Sequence, residues 1–258
     1  MSSIPINEAE LFGREWFYPF ELPDGRVTPT YDGGHLNAIH STRLAMMDAV
    51  LEPLFVSGYS QVSAIDLACH QGYFSSQLAQ RGCRSVLGID ARQCHVDDAN
   101  LIARAQQLDN FEAVKSDVHA LDASKLGQFD IVLMLGLIYH LENPVGAIRL
   151  ARSLTGKVCL IETQVVPNFS GNIDWGSYQF VRPLKGCFGI IDELDETHAP
   201  EASTRGICLA PSTEGLLWIM HAVGFDRVEL LTPPADAYEQ HRHGKRIMVA
   251  GFVDSAGH

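Results

Sequence analysis

Ala64-Ile65-Asp66-Leu67-Ala68-Cys69-His70-Gln71-Gly72 is the stretch on which the fold turns. A short apolar run ends in an acid, breaks into a tight turn, and enters a helical pattern at Tyr73. A second apolar run, Ser85–Ile89, ends in Asp90, 24 residues after Asp66. Two strands ending in acids at that spacing, with a helix between them, are how an open α/β sheet presents a nucleoside site at its carboxyl edge.

The rhythm extends outward from this stretch. Apolar runs at 63–67, 85–89, 111–115, 129–135 and 157–162 alternate with helical candidates at 73–81, 92–107 and 143–153. This predicts an α/β fold of βαβ units with a mostly parallel sheet. Asn143 and Pro144 mark the start of the third helix as N-cap and first-turn residue. After Glu162 the rhythm stops. Residues 164–210 are broken by Pro167, Gly171, Pro183, Gly186, Gly189, Pro200 and Gly206 and carry an acidic stretch, Asp192–Glu196. A connector of that length is unusual inside a compact domain, so a cap insert is expected. Pro211-Ser212 opens a further helix that closes at Gly224, and strands follow at 226–231 and 246–252. The expected organisation is an aromatic-rich N-terminal arm or lid (1–45), an α/β core (46–163), a substrate cap (164–210) and the remainder of the core (211–258).

Composition narrows the classes. The chain has 258 residues, of which 46% are hydrophobic, enough for one large α/β domain with a cap. Its net charge is −12 and its basic residues are scattered apart from His241–Arg246, which disfavours nucleic acid as a partner. No apolar run reaches the ~18 residues of a membrane span. The first residues show neither the basic nor the apolar region of a secretory signal. Six cysteines without C-x-x-C spacing fit a reduced, cytoplasmic compartment and no zinc site. No metal is expected, and the chain is expected to be a monomer or homodimer.

A dinucleotide turn uses G-x-G-x-x-G so that a pyrophosphate can approach the backbone closely. Here Ala68 and His70 stand where two of those glycines would be, and Gly72 alone remains. S-adenosylmethionine (SAM) has no pyrophosphate and tolerates that loss. Asp66 and Cys69 belong to the same turn, and His70 either reaches the amino-acid tail of the cofactor or faces solvent. Asp90, followed by Ala91, suits a ribose diol, because one carboxylate can accept from both hydroxyls. Asp117 is placed to accept from an adenine amino group, with Val118 offering its N–H. Leu135 and Gly136 end the fourth strand beside the same site.

These segments, Asp66…Gly72, Gly88-Ile89-Asp90, Ser116-Asp117-Val118 and Phe129-Asp130…Tyr139-His140-Leu141-Glu142-Asn143-Pro144, resemble the successive motifs of class I SAM-dependent methyltransferases. The resemblance covers residues 62–163, and Pro211–Phe252 fits the last helix and strands of that fold. It implies a Rossmann-like, seven-stranded sheet in the order 3-2-1-4-5-7-6 with the last strand antiparallel, and SAM as cofactor. A narrower resemblance is to the group that includes the bacterial tRNA wobble-uridine carboxymethyltransferase. Tyr139 and Arg246 match two residues that hold a carboxylated SAM there. The third, a lysine, has no counterpart in Trp16-Phe17-Tyr18-Pro19-Phe20, so ordinary SAM is expected.

The fold then places Tyr139 and His140 nearest the transferred methyl, with Glu162 at the end of the fifth strand. His140 or Glu162 would serve as base for a hydroxyl acceptor. Trp16, Tyr18, Tyr139, Trp175, Tyr178, His198 and Arg246 are the candidates to contact the acceptor. His198 could also act as a base on a closing cap, and the acidic stretch could attract a cationic amine. The expected activity is methyl transfer from SAM to a small molecule. The alternatives are modification of tRNA, or SAM binding without transfer.

Overall fold

The computed structural model describes residues 8–174, 176, 182–193, 203 and 206–254. The chain enters through a short helix, α1 (Glu8–Phe12), and an arm held by isolated bridges, Trp16 to Thr30 and Glu21 to Val27. Helix α2 (Asn37–Leu54) follows, crossing the expected boundary at residue 45. The core then alternates: β1 (Ser63–Leu67), α3 (Tyr73–Gln80), β2 (Ser85–Asp90), α4 (Gln93–Ala105), β3 (Phe111–Lys115), a short α5 (Ala123–Leu126), β4 (Phe129–Leu135), α6 (Pro144–Leu154) and β5 (Thr155–Gln164). The insert holds two small ribbons, β6 (Gly171–Ile173) with β7 (Arg182–Leu184), and β8 (Phe188–Asp192) with β9 (Ile207–Pro211). Helix α7 (Thr213–Ala222), β10 (Arg227–Leu230), a one-turn α8 (Glu239–Arg242) and β11 (Arg246–Phe252) complete the described chain.

Seven strands form one sheet in the order β3-β2-β1-β4-β5-β11-β10. The first five are parallel, and β11 lies antiparallel to both β5 and β10. This is the expected order 3-2-1-4-5-7-6, with β10 and β11 as its sixth and seventh strands. The period of two along each strand sorts the core into two layers. Ala64, Ile131, Leu133, Val158 and Leu160 pack with α2, α3 and α4 on one face. Ile65, Leu67, Val132, Met134, Cys159 and Ile161 pack with α6 and α7 on the other.

Local chemistry sets the helix starts that matter for the site. Asn143 Oδ1 accepts the Gly146 N–H at 2.9 Å, with Pro144 in the first turn, as the sequence predicts. Ser212 caps α7 by accepting the Gly215 N–H, and Gly224 closes it with a φ of 103°. All six cysteines are free thiols. No helix among the described residues is long and apolar enough to cross a membrane.

Candidate active site

A cavity of about 660 Å³ opens at the carboxyl ends of β1, β2 and β4, within the range of small-molecule and cofactor sites. It lies where the strand order reverses between β1 and β4, which is where open α/β sheets bind ligands. The turn after β1 forms its floor. Ala68, His70 and Gly72 all have positive φ, at 64°, 51° and 80°. The backbone therefore keeps the left-handed shape that glycine favours, with side chains mounted on two of its three positions. At Gly72 no side chain fits, because an added Cβ would lie 2.8 Å from the Phe111 ring.

Asp90 ties this turn to the end of β2. Its carboxylate accepts the His70 N–H at 3.0 Å and the Arg92 N–H at 2.9 Å, and His95 Nδ1 lies 3.2 Å away. Burial pushes the Asp90 carboxyl up, but the His95 bond and charge and the Arg92 N–H outweigh it and hold it below its ordinary value. An ionised carboxylate only accepts, so His95 donates. Three of its roughly four acceptor places are filled, which leaves one for a ligand hydroxyl rather than the two that a chelated diol would need.

The far wall is built differently. Glu162 on β5 is fully buried, with Arg43 Nη2 at 2.8 Å, Arg246 Nη1 at 3.1 Å and His241 Nε2 at 3.2 Å, the last off the line of a good hydrogen bond. Burial alone would raise the Glu162 carboxyl, but the charges of Arg43 and Arg246 drive it far below the usual range. Arg246 Nη2 donates to the Tyr139 hydroxyl at 2.9 Å and stands over the Tyr139 ring. Gly136, at a φ of 79°, lets Arg43 pass: an added Cβ would sit 3.0 Å from its Nη2.

Next to Tyr139, His140 Nδ1 bonds Glu193 Oε2 at 2.6 Å. The same oxygen accepts the Ser203 N–H at 2.9 Å, and Cys208 Sγ lies 3.3 Å from it. Burial raises the Glu193 carboxyl, but the bond and charge of His140, then Ser203 and Cys208, bring it down to about 2. His140, Glu193 and Cys208 offer donor atoms within 4.8 Å of one another. Two ligands of one tetrahedral zinc at ~2.0–2.1 Å lie well over 3 Å apart, so the 2.6 Å contact is a hydrogen bond rather than a preformed metal edge.

Comparison with known proteins agrees with this geometry. Residues 59–172 match the model of the family described as Methyltransferase domain. The match takes in β1 to β5 and the turn that floors the cavity. The chain is 29% identical over 119 residues to the ubiquinone biosynthesis O-methyltransferase of Acinetobacter baylyi, covering 46% of this chain and 48% of that protein. It is 26% identical over 191 residues to the tRNA U34 carboxymethyltransferase of Desulfotalea psychrophila, covering 73% of this chain and 53% of that protein. The chain thus spans about half the length of these two relatives. The N-terminal domain of EvdMO1, solved in the presence of S-adenosylhomocysteine (SAH) and D-fucose, shares the fold with a TM-score of 0.65 at 22% identity, over 93% of this chain and 91% of that one. Magnesium protoporphyrin IX methyltransferase from Synechocystis, with bound SAH, shares it at 0.53 and 16% identity, over 84% and 86%.

Most of the anticipated site residues meet on the cavity wall. Ala68, His70, Asp90, Ala91, Asp117 and Val118 line one end. Leu135, Gly136, Tyr139 and His140 line the other, with Tyr18 and Arg246 above them. Five do not reach it as expected. Asp66 lies beneath the turn, where its carboxyl accepts the Ser75 hydroxyl at 2.8 Å and burial pushes it up to about 7. Cys69 packs under Gly88, and Gly72 packs on Phe111. Trp16 is a core residue whose indole N–H donates to the Leu11 carbonyl at 2.7 Å. Glu162 is fully buried against two arginines whose charges hold its carboxyl far below the usual range, so it is a poor base. Trp175, Tyr178 and His198 lie outside the described residues.

His70 does not face solvent. Its ring lies 3.8 Å from that of His95, and both of its nitrogens are buried without a partner. The acidic stretch is not uniformly solvated either, since Glu193 is buried while Asp192 is exposed. Sequence reasoning missed Arg43, His95, Gln71 and Glu193. Gln71 accepts the Phe17 N–H and donates to the Glu15 carbonyl and to Asp98, which pins the aromatic arm to the turn. His95, one turn into α4 and five residues after Asp90, was the most legible of the four.

Proposed function

We propose that the chain is a SAM-dependent methyltransferase acting on a small organic acceptor. The observation that carries this reading is the turn closed by Asp90, which opens into a cavity running on to Tyr139 and His140. The residues present suit SAM. His70, whose two ring nitrogens are buried without a partner, lines the same end of the cavity. Asp90 has one acceptor place for a ribose hydroxyl, and Asp117 and Val118, which line the same cavity, are the residues that would meet an adenine. When bound, SAM supplies a methyl carbon already activated by its sulfonium. The work left to the protein is alignment and exclusion of water. Tyr18 and Phe17 from the arm line the cavity beside the turn, Tyr18 stacking on Tyr73 at 5.0 Å, so the arm covers that side of it. Arg246 fixes the Tyr139 ring at the acceptor end.

The acidic net charge of −12 favours a small molecule over tRNA. Titration calorimetry decides the core claim: SAM should bind, NAD should not, and Asp90→Ala should weaken SAM binding about tenfold or more. Binding of NAD with none of SAM would overturn the reading. Binding of SAM with no SAH formed in the presence of a cell extract would make the chain a non-catalytic SAM protein.

A further inference from the structure

We propose that Glu193, carried on the insert, is the positioning residue that makes His140 a general base, and that the acceptor atom is therefore a hydroxyl oxygen. This rests on the methyltransferase reading and names its acceptor class.

The argument starts with the carboxylate. Glu193 follows β8, is 3% exposed, and receives three donors on Oε2: His140 Nδ1, the Ser203 N–H and the Cys208 thiol. A carboxyl held that way is ionised at neutral pH and can only accept. The proton in its 2.6 Å bond to His140 therefore belongs to Nδ1. In the neutral imidazole Nε2 then carries the lone pair, and it is the one ring nitrogen left to meet a molecule in the cavity that His140 lines. A ring with no partner would populate both tautomers and turn freely. Here the tautomer is fixed, the ring is clamped, and the imidazolium formed by proton uptake has a counterion in contact.

Such a device is of most use to a hydroxyl acceptor. A neutral amine attacks through a lone pair it already has and sheds its proton afterwards, and a thiol, with an ordinary pKa of ~8.5, ionises far more readily than an alcohol. An alcohol or phenol must lose a proton as it attacks. The step balances as follows: the acceptor O–H proton moves to His140 Nε2 as the new O–C bond forms. The bond from the methyl carbon to sulfur breaks with its electron pair going to sulfur. The imidazolium later releases the proton to solvent. Glu162, the other carboxylate considered as a base, is excluded by its two arginines.

Two measurements test this. Imidazole ¹⁵N NMR of the resting protein should show His140 as the Nδ1–H tautomer in the wild type and a tautomer mixture in Glu193→Gln. Nε2–H in the wild type, or no change in Glu193→Gln, overturns the proposal without any acceptor being known. In the second, [methyl-¹³C]SAM is incubated with the enzyme and a cell extract, and labelled products are sorted by methyl chemical shift. O-methyl product is expected, with kcat down about 100-fold in Glu193→Gln, KM changed by less than about twofold, and partial rescue by Glu193→Asp. N- or S-methyl product overturns the acceptor class while leaving the methyltransferase standing. No labelled product at all counts against the methyltransferase itself. Activity lost on dialysis against chelator and restored by zinc would overturn the dyad in favour of a metal on His140, Glu193 and Cys208.

Discussion

Two guanidiniums closing on the Glu162 carboxylate show how a residue's role is decided by its neighbours rather than its place in the sequence. An acid at the end of β5 reads as a base candidate because the strand end faces a ligand crevice in this fold. Its true partners, Arg43 and Arg246, come from α2 and β11, and nothing local in the sequence pairs either of them with Glu162. Replacing Glu162 would leave two buried cations without a counterion. Glu162→Gln should destabilise the fold by about 3–5 kcal/mol, read as a lower urea midpoint at unchanged m-value. A change below about 1 kcal/mol would mean that the pairs are solvent-screened. The turn gives the opposite lesson. Asp90 was legible because a strand-end acid acts locally. Ala68 and His70, read from their identity as a loss of glycine geometry, turn out to keep it.

At the scale of elements, the strands and core helices were legible nearly to the residue. Strands 63–67, 111–115, 129–135 and 246–252 are found with the expected bounds, because alternation and turn residues are local signals. Helix α2 was not foreseen. Its buried face includes His40, Thr42 and Arg43, so the apolar period that announces a helix is interrupted by the residues that build the site. The insert was recognised as a break in rhythm, but its ribbons are short and their pairing is not encoded locally. One serine fastens the insert to the core. Ser212 Oγ accepts both the Gly215 N–H of α7 and the Cys187 N–H, and its own N–H donates to the Cys187 carbonyl at 2.8 Å. Ser212→Ala removes a helix cap and orphans a second donor. The expected loss is about 2–3 kcal/mol, with faster proteolysis within 164–210 than elsewhere. Uniform proteolysis along the chain would show that the serine serves α7 alone.

Across the whole molecule, burial of ionisable groups sets how stability follows pH. His40 is brought to about 3, by burial and then by the charge of Arg43, and His70 to about 3, by burial and then by His95. Both are neutral when folded and take up protons on unfolding below their ordinary value of ~6.5, so each destabilises the fold as pH falls. Asp66, at about 7 when folded, is protonated there and releases its proton on unfolding above ~4, which works in the opposite sense. Between about pH 6.5 and 4.5 the net uptake is one proton, or ~1.4 kcal/mol of stability lost per pH unit. Urea unfolding at several pH values checks this. His40→Gln should flatten the slope towards zero and Asp66→Asn should double it. A wild-type slope that rises on acidification would show that these histidines are charged when folded.

The pairing of Glu162 with both Arg43 and Arg246 also bears on how the chain is made. At roughly 5–20 residues per second, α2 and β5 leave the ribosome well before β11 exists. Until residue 246 emerges, β5 lacks both its antiparallel neighbour and one of the cations on its buried acid. Thr42 likewise waits for the Tyr238 N–H that it accepts at 2.7 Å. That end of the cavity is therefore completed only once β11 is available. A nascent chain arrested short of β11 should hold β1 to β4 in place while leaving the Glu162 corner of the cavity incomplete, so that the capacity to bind a ligand is withheld until β11 has emerged.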